Sequence, residues 1–180
     1  MMKLLGISGT ITGSKTAALV NKVLNEVERN YPDVQVELLD LRNYKLEFCD
    51  GRPNSEYNAD TQMVIETVNS ADFYLVGTPI FQASISGALK NLFDLIPVAT
   101  FRQKVIGFVA TGGTYQHFLV IENQLKPIAG YFRCYIAPSY VYAHSEHFDK
   151  NNEIIDSDVM ERISSLAHEL VLMQRTFKKE

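Results

Sequence analysis

Thr78-Pro79-Ile80-Phe81-Gln82-Ala83-Ser84-Ile85-Ser86-Gly87-Ala88-Leu89-Lys90-Asn91 follows directly on the apolar run Phe73-Tyr74-Leu75-Val76-Gly77. The run reads as a buried strand from Phe73 to Thr78, and Gly87 to Ile96 reads as a helix. A strand ending in Thr-Pro, a short loop with one aromatic among small residues, and then a helix make a ledge. Such ledges lie at the carboxyl edge of a parallel sheet, where open α/β folds bind ligands. Pro79 fixes its own φ and keeps Thr78 extended, so the loop leaves the strand in a set direction. Phe81 can then lie against a flat ligand, and Ala83, Gly87 and the serines let backbone come close to it.

Outward from this ledge, short apolar runs alternate with helical patterns. Lys3 to Ser8, Val34 to Leu41, Val105 to Ala110 and Tyr135 to Tyr142 read as the other strands, the last with a possible interruption at Pro138. Val20, Val23, Leu24 and Val27 recur at helical spacing, giving an amphipathic helix from Thr16 to Asn30. Further helices are expected over Ala59 to Ser70, His117 to Tyr131 with a kink at Pro127, and Asp158 to Phe177, capped by Asp156 or Ser157. Residues 43–58 are polar and irregular and read as a long loop. Strand and helix thus alternate five times, which predicts an α/β fold: a doubly wound, five-stranded parallel sheet. No Gly-x-Gly-x-x-Gly is present, so a strand order of 2-1-3-4-5 is preferred over the six-stranded dinucleotide-binding order. No boundary divides residues 1–180, and a single domain is expected.

Ser8-Gly9-Thr10-Ile11-Thr12-Gly13-Ser14-Lys15-Thr16 joins the first strand to the first helix. Hydroxyls and glycine before a helix N-terminus suit a phosphate, which is held by free N–H groups and the helix dipole. The segment misses the triphosphate-binding Gly-x-x-x-x-Gly-Lys-Thr pattern because Ser14 stands where glycine is required, and no acid ends a neighbouring strand to help hold magnesium. After the fourth strand, Thr111-Gly112-Gly113-Thr114 offers two glycines, which permit unusual backbone angles and a close ligand approach.

These segments resemble the NADPH-dependent FMN reductases, enzymes with a flavodoxin-like fold. In them a Thr-Pro-x-Tyr/Phe-x-x-Ser-x-x-Gly-x-Leu-Lys-Asn stretch wraps the flavin ring, and Ala110-Thr111-Gly112-Gly113-Thr114-Tyr115-Gln116-His117 resembles their second flavin loop. The match is best in the branch that supplies reduced flavin to two-component monooxygenases. The resemblance implies FMN as cofactor and NADPH or NADH as reductant. It implies Ser8, Thr10, Thr12, Ser14, Lys15 and Thr16 around the phosphate; Pro79, Ile80, Phe81, Gln82, Ala83 and Ser84 along one edge of the ring; and Thr111, Gly112, Gly113, Thr114 and His117 in the second loop. It implies no catalytic side chain, because the flavin itself carries the hydride. Acceptors in such a family are free flavin, quinones or azo compounds. A homodimer or homotetramer is implied, as is a possible flavin-dependent monooxygenase partner. Two departures stand out: Thr12 replaces the arginine common in the phosphate motif, and Asn123 stands where several flavin-supplying relatives place a tyrosine that stacks across a subunit interface.

The composition fits a soluble cytoplasmic enzyme. Of 180 residues, 46% are hydrophobic and 21% charged, and the net charge is −4. Without a basic face, nucleic acid is not expected as a partner. Lys178-Lys179 is the one block of like charge, and no apolar stretch reaches the length of a membrane span. Cys49 and Cys134 are expected to be free thiols. His144-Ser145-Glu146-His147-Phe148-Asp149 has the residue types of a metal site but reads as a polar loop. The rival to a reductase is a flavodoxin-type electron carrier, or a flavin-binding sensor without nicotinamide turnover. The net charge of −4 and the Gly87 helix weigh against the carrier.

Overall fold

The computed structural model describes residues 1–177, so Lys178-Lys179 lies outside the described residues. Five strands form one sheet: β1 (Met2–Ser8), β2 (Val34–Asp40), β3 (Phe73–Pro79), β4 (Val105–Gly112) and β5 (Tyr135–His144). They pair in the order β2-β1-β3-β4-β5, every pair parallel. This is the expected flavodoxin-like order. It puts the ends of β1, β3 and β4 side by side, and with them the loops singled out above.

Each strand alternates between the two faces. Leu5, Ile7, Tyr74, Val76, Ile106 and Phe108 point into one core, where they meet α2 (Ala59–Asn69), α3 (Gly87–Leu95), the short α4 (Val98–Phe101) and α5 (Lys126–Tyr131). Leu4, Phe73, Leu75, Val105 and Val109 point into the other, against α1 (Lys15–Asn30) and α6 (Ser157–Phe177). Leu19, Val20, Val23, Leu24 and Val27 form the buried stripe of α1, as the periodicity requires. Asn58 caps α2, accepting from the Thr61 N–H at 2.8 Å. Asp156 rather than Ser157 caps α6, accepting from the Val159 N–H at 2.9 Å. Among the described residues, no helix is long and apolar enough to cross a membrane. Both cysteines are free thiols.

Three local expectations are corrected. Strand β5 is not interrupted at Pro138. The register steps from Ile106 opposite Ile136 to Phe108 opposite Tyr140, so β5 bulges by two extra residues. Two residues, unlike one, leave the inward and outward alternation in phase. The strand lies at the sheet edge, where a proline costs no ladder bond. The helix expected from His117 to Tyr131 is instead a 3₁₀ turn (Tyr115–Phe118), a π turn (Ile121–Leu125) and α5. Pro127 falls at the start of α5 directly after the π turn, where the Lys126 N–H reaches back to the Ile121 carbonyl and the helical bonding is already shifted around the missing N–H. The third correction is α4, which follows Pro97 and was not expected.

Candidate functional site

The loop from β1 to α1 opens at the sheet's carboxyl edge. Gly9 has no room for a side chain: a Cβ there would sit 2.8 Å from both the Gly77 carbonyl oxygen and Leu89. The loop is therefore pressed against β3 and α3, and the Gly9 N–H bonds the Gly77 carbonyl at 2.8 Å. Ser86 ties it to α3, donating from Oγ to the Gly9 carbonyl while capping the helix through the Leu89 N–H at 3.0 Å. Thr10 is buried and turns its hydroxyl inward: it donates to the Thr12 carbonyl (2.6 Å) and accepts from the Thr12 N–H (3.2 Å). Gly13 has φ +72°, a conformation that favours glycine. The Thr16 and Thr111 hydroxyls bond each other at 2.8 Å in a buried contact that joins this loop to the end of β4.

What the loop leaves open fits an anionic group. Ser14 precedes α1 but makes no capping bond, and the first turn of α1 carries no acid. The positive end of the helix dipole is thus unopposed. Ser8 Oγ is buried without a hydrogen-bond partner, and a buried hydroxyl is seldom left so unless something else completes it. Lys15 turns toward the end of β5, its Nζ 3.3 Å from the Ser145 carbonyl and 5.5 Å from the Phe148 ring centroid.

The β3 loop is a tight turn. Phe81 and Ser84 exchange both backbone bonds at 3.0 Å, and the two residues between them, Gln82 and Ala83, have φ of 49° and 60°. Two central residues with positive φ match a type I′ turn, which usually recruits Gly or Asn. Positive φ was expected at the glycine pair instead. Neither Gly112 nor Gly113 adopts it. Gly112 is needed for space, because a Cβ there would lie 2.4 Å from Tyr142 Oη. Gly113 faces open space, with nothing within 4 Å of a Cβ. Tyr142 donates to the Thr114 carbonyl at 2.6 Å, and burial raises its pKa, keeping it a donor.

The turn is held from outside by Gln124, which lies on the π turn. Its Oε1 accepts from the Ser84 hydroxyl (2.8 Å) and the Ile85 N–H (3.3 Å), and its Nε2 donates to the Ala83 carbonyl (3.3 Å). The Ser84 hydroxyl is therefore committed to Gln124. Sequence reasoning missed Gln124, because its position depends on a π turn that the helical pattern does not announce. It also missed Arg42, which reaches the Gly13 carbonyl of the β1 loop from beyond β2. The Lys90–Asp94 pair forms within α3, at 2.7 Å.

Between these loops lies a cavity of about 190 Å³, lined by Lys15, Pro79, Ile80, Phe81, Thr111, Gly112 and Gly113 together with the end of β5. The Ile80 N–H bonds the Thr111 carbonyl at 2.8 Å, so its two walls are tied together. Thr114 and His117 do not line it; His117 Nδ1 is buried without a partner. A larger groove of about 550 Å³ between α3 and α5, around Phe93 and Tyr131, includes none of the loops that follow β1, β3 and β4. Chemistry, not size, marks the smaller cavity as the candidate site.

Residues 2–148 match the NADPH-dependent FMN reductase family. The chain belongs to this family. It is 61% identical over 177 residues to an NAD(P)H-dependent FAD/FMN reductase of Geobacillus thermodenitrificans, covering 98% of this chain and 96% of that one. An oxidoreductase structure from Corynebacterium diphtheriae superposes with a TM-score of 0.77 at 22% identity, over 98% of each chain. An archaeal flavodoxin superposes at 0.63 and 12% identity, over 97% of this chain and 99% of that one. As a member of the FMN reductase family, the chain is an oxidoreductase that uses FMN with NAD(P)H as reductant.

Proposed function

We propose that the chain reduces FMN bound across the β1, β3 and β4 loops and passes the electrons to free flavin, a quinone or an azo-type acceptor. The observation that carries this reading is the cavity of about 190 Å³ between Pro79–Phe81 and Thr111–Gly113, beside the uncapped N-terminus of α1. FMN, when bound, supplies the chemistry: it takes hydride from the nicotinamide at N5 and gives it up to the acceptor.

The protein's own work is holding and polarising. Ser8, Thr12, Ser14 and the first N–H groups of α1 hold the terminal phosphate. Thr10 and Thr16 act on the loop, their hydroxyls being engaged with Thr12 and Thr111. Pro79 to Ala83 lie along the ring edge, with Phe81, 47% exposed, offering a flat apolar contact. The N–H groups of Gly112 and Gly113, with Lys15 lining the same cavity, stabilise negative charge gathering on the reduced ring. The Ser84 hydroxyl, through Gln124, and the Thr114 carbonyl, which accepts from Tyr142 and from the His117 N–H, support these loops from outside the cavity. Hydride transfer needs alignment more than proton transfer, so rigid loops suffice without a catalytic acid. The whole chain serves as one FMN-binding unit in the cytoplasm, as a homodimer or homotetramer, and a flavin-dependent monooxygenase fits as a consumer of reduced flavin.

Fluorescence titration with FMN and riboflavin tests the site, followed by anaerobic NADPH and NADH oxidation with a quinone acceptor. We expect tighter binding of FMN and turnover with at least one nicotinamide. Equal affinity for riboflavin would remove the phosphate from the β1 loop.

A further inference from the structure

The β1 loop lacks an arginine at position 12, and its own cation, Lys15, turns to the Ser145 carbonyl. Yet one cation does bond the loop backbone. Arg42, in the turn after β2, donates from Nη1 to the Gly13 carbonyl at 2.7 Å, across 29 positions of sequence. We propose that Arg42 is the positioning residue for the phosphate of FMN, supplying from outside the loop what an arginine at position 12 would supply from within. The proposal rests on the phosphate assignment to this loop.

The geometry carries it in three steps. First, Arg42 is fixed. Its Nε lies 3.0 Å from both carboxylate oxygens of Asp40, Nη2 bonds the same carboxylate, and the Arg42 backbone N–H donates to Asp40 Oδ1 at 3.1 Å. Only a planar guanidinium can grip a carboxylate on one side and keep Nη1 free for a second acceptor. Second, Asp40 is itself fixed. It ends β2 and stands in register opposite Ser8, which ends β1, and its side chain is 9% exposed. The brace therefore starts at the mouth of the loop. Third, the bond orients a donor. In a planar trans peptide the C=O and the next N–H point to opposite sides. With the Gly13 carbonyl held toward Arg42, the Ser14 N–H is turned away from it, and Ser14 is the residue that leads into the uncapped start of α1. Gly13, at φ +72°, supplies the backbone freedom this peptide orientation needs.

The test compares dissociation constants of FMN and riboflavin, which differ in the phosphate alone, in the wild type and in Arg42→Ala and Arg42→Lys. Losing one charge-assisted bond and its loop orientation is expected to weaken FMN about tenfold in Arg42→Ala. Riboflavin should bind as before, so the FMN-to-riboflavin preference falls by the same factor. Lysine keeps the charge but cannot serve Asp40 and Gly13 together, and should fall between. Adding Thr12→Arg to Arg42→Ala should restore the preference. If Arg42→Ala or Arg42→Lys weakens both ligands equally, Arg42 is a general brace and the proposal is overturned. An unchanged preference in both variants overturns it as well. If the wild type itself shows no preference for FMN, the phosphate assignment fails before the variants are compared. Should Arg42→Ala not fold, the lysine variant decides alone.

Discussion

Removing Gln124 tests whether the turn after β3, proposed to meet the flavin, is a held conformation or a resting one. Gln82 and Ala83 sit at φ of 49° and 60°, which costs a non-glycine residue about 1 kcal/mol each. The turn therefore carries about 2 kcal/mol of backbone strain by the same reckoning. Opposing it are three hydrogen bonds from one side chain: two accepted by Oε1, from Ser84 Oγ and the Ile85 N–H, and one donated by Nε2 to the Ala83 carbonyl. Only one amide orientation satisfies all three, because a backbone N–H can bond only the amide oxygen. Each is worth about 1 kcal/mol at best, and two are long at 3.3 Å, so the clamp contributes about 2 kcal/mol. Strain and clamp nearly offset each other. Gln124→Ala should therefore let the turn relax and reduce the competent fraction, weakening FMN roughly tenfold. The Tm should fall by no more than about 8 °C, since the loss is local in a chain of this size. Fluorescence titration and thermal unfolding of the same samples provide the two numbers. Ala83→Gly on that background removes one strained residue and should recover part of the affinity. An unchanged FMN affinity in Gln124→Ala would refute this account, because the turn would then hold itself.

Gly113→Val should abolish FMN binding while leaving circular dichroism and Tm nearly unchanged, because a Cβ at Gly113 meets no protein atom within 4 Å and the backbone is not in the left-handed region. Retained binding would take Gly113 out of the ring site. The fold should lose stability as pH rises from 9 toward 12, because burial raises the Cys134 thiol from its ordinary 9.0 to about 12 and raises Tyr74 as well. The native state then holds protons that the unfolded chain has released, so the stabilisation is complete below pH 9 and is lost above it. Lys104, lowered by burial beside them, works in the opposite sense near its ordinary 10.5. Cys134→Ala should flatten the alkaline fall of Tm between pH 9 and 11, and an identical slope in the variant would show that the native fold does not raise the thiol's pKa.

The sheet order, and with it the edge where the proposed site lies, was legible because it rests on strong local signals. Apolar runs such as Phe73 to Val76 allow little but a buried strand, and Thr78-Pro79 marks where it ends. Given five alternating strands and helices, the ligand edge follows. The supports of the site were not legible, for physical reasons that differ by residue. Gln82 and Ala83 carry no propensity for positive φ, so the pattern drew attention to Gly112 and Gly113, where glycine provides room instead. A two-residue bulge at Pro138 leaves the alternation of β5 in phase and so looks the same as a straight strand in sequence. Gln124 looks like an ordinary polar position in an amphipathic helix, because a π turn has no residue signature here beyond a proline two positions after it.

Those hidden supports share one logic. Each loop of the proposed site is pinned by a residue that belongs to a different element: Arg42, after β2, on Gly13; Gln124, on the π turn, on Ala83 and Ser84; Tyr142, in β5, on Thr114. A loop that presents its backbone N–H groups to a ligand cannot also use them to bond itself. It has to be fixed through its carbonyls and side chains, and in all three cases the group that is gripped includes a carbonyl. Such grips take the carbonyl alone on Gly13 and Thr114, while on the β3 turn Gln124 takes the Ile85 N–H as well and the Phe81 and Ser84 N–H groups bond within the turn. They also make the site's precision depend on packing between elements, so that a substitution well outside the cavity can move ligand affinity without touching the ligand.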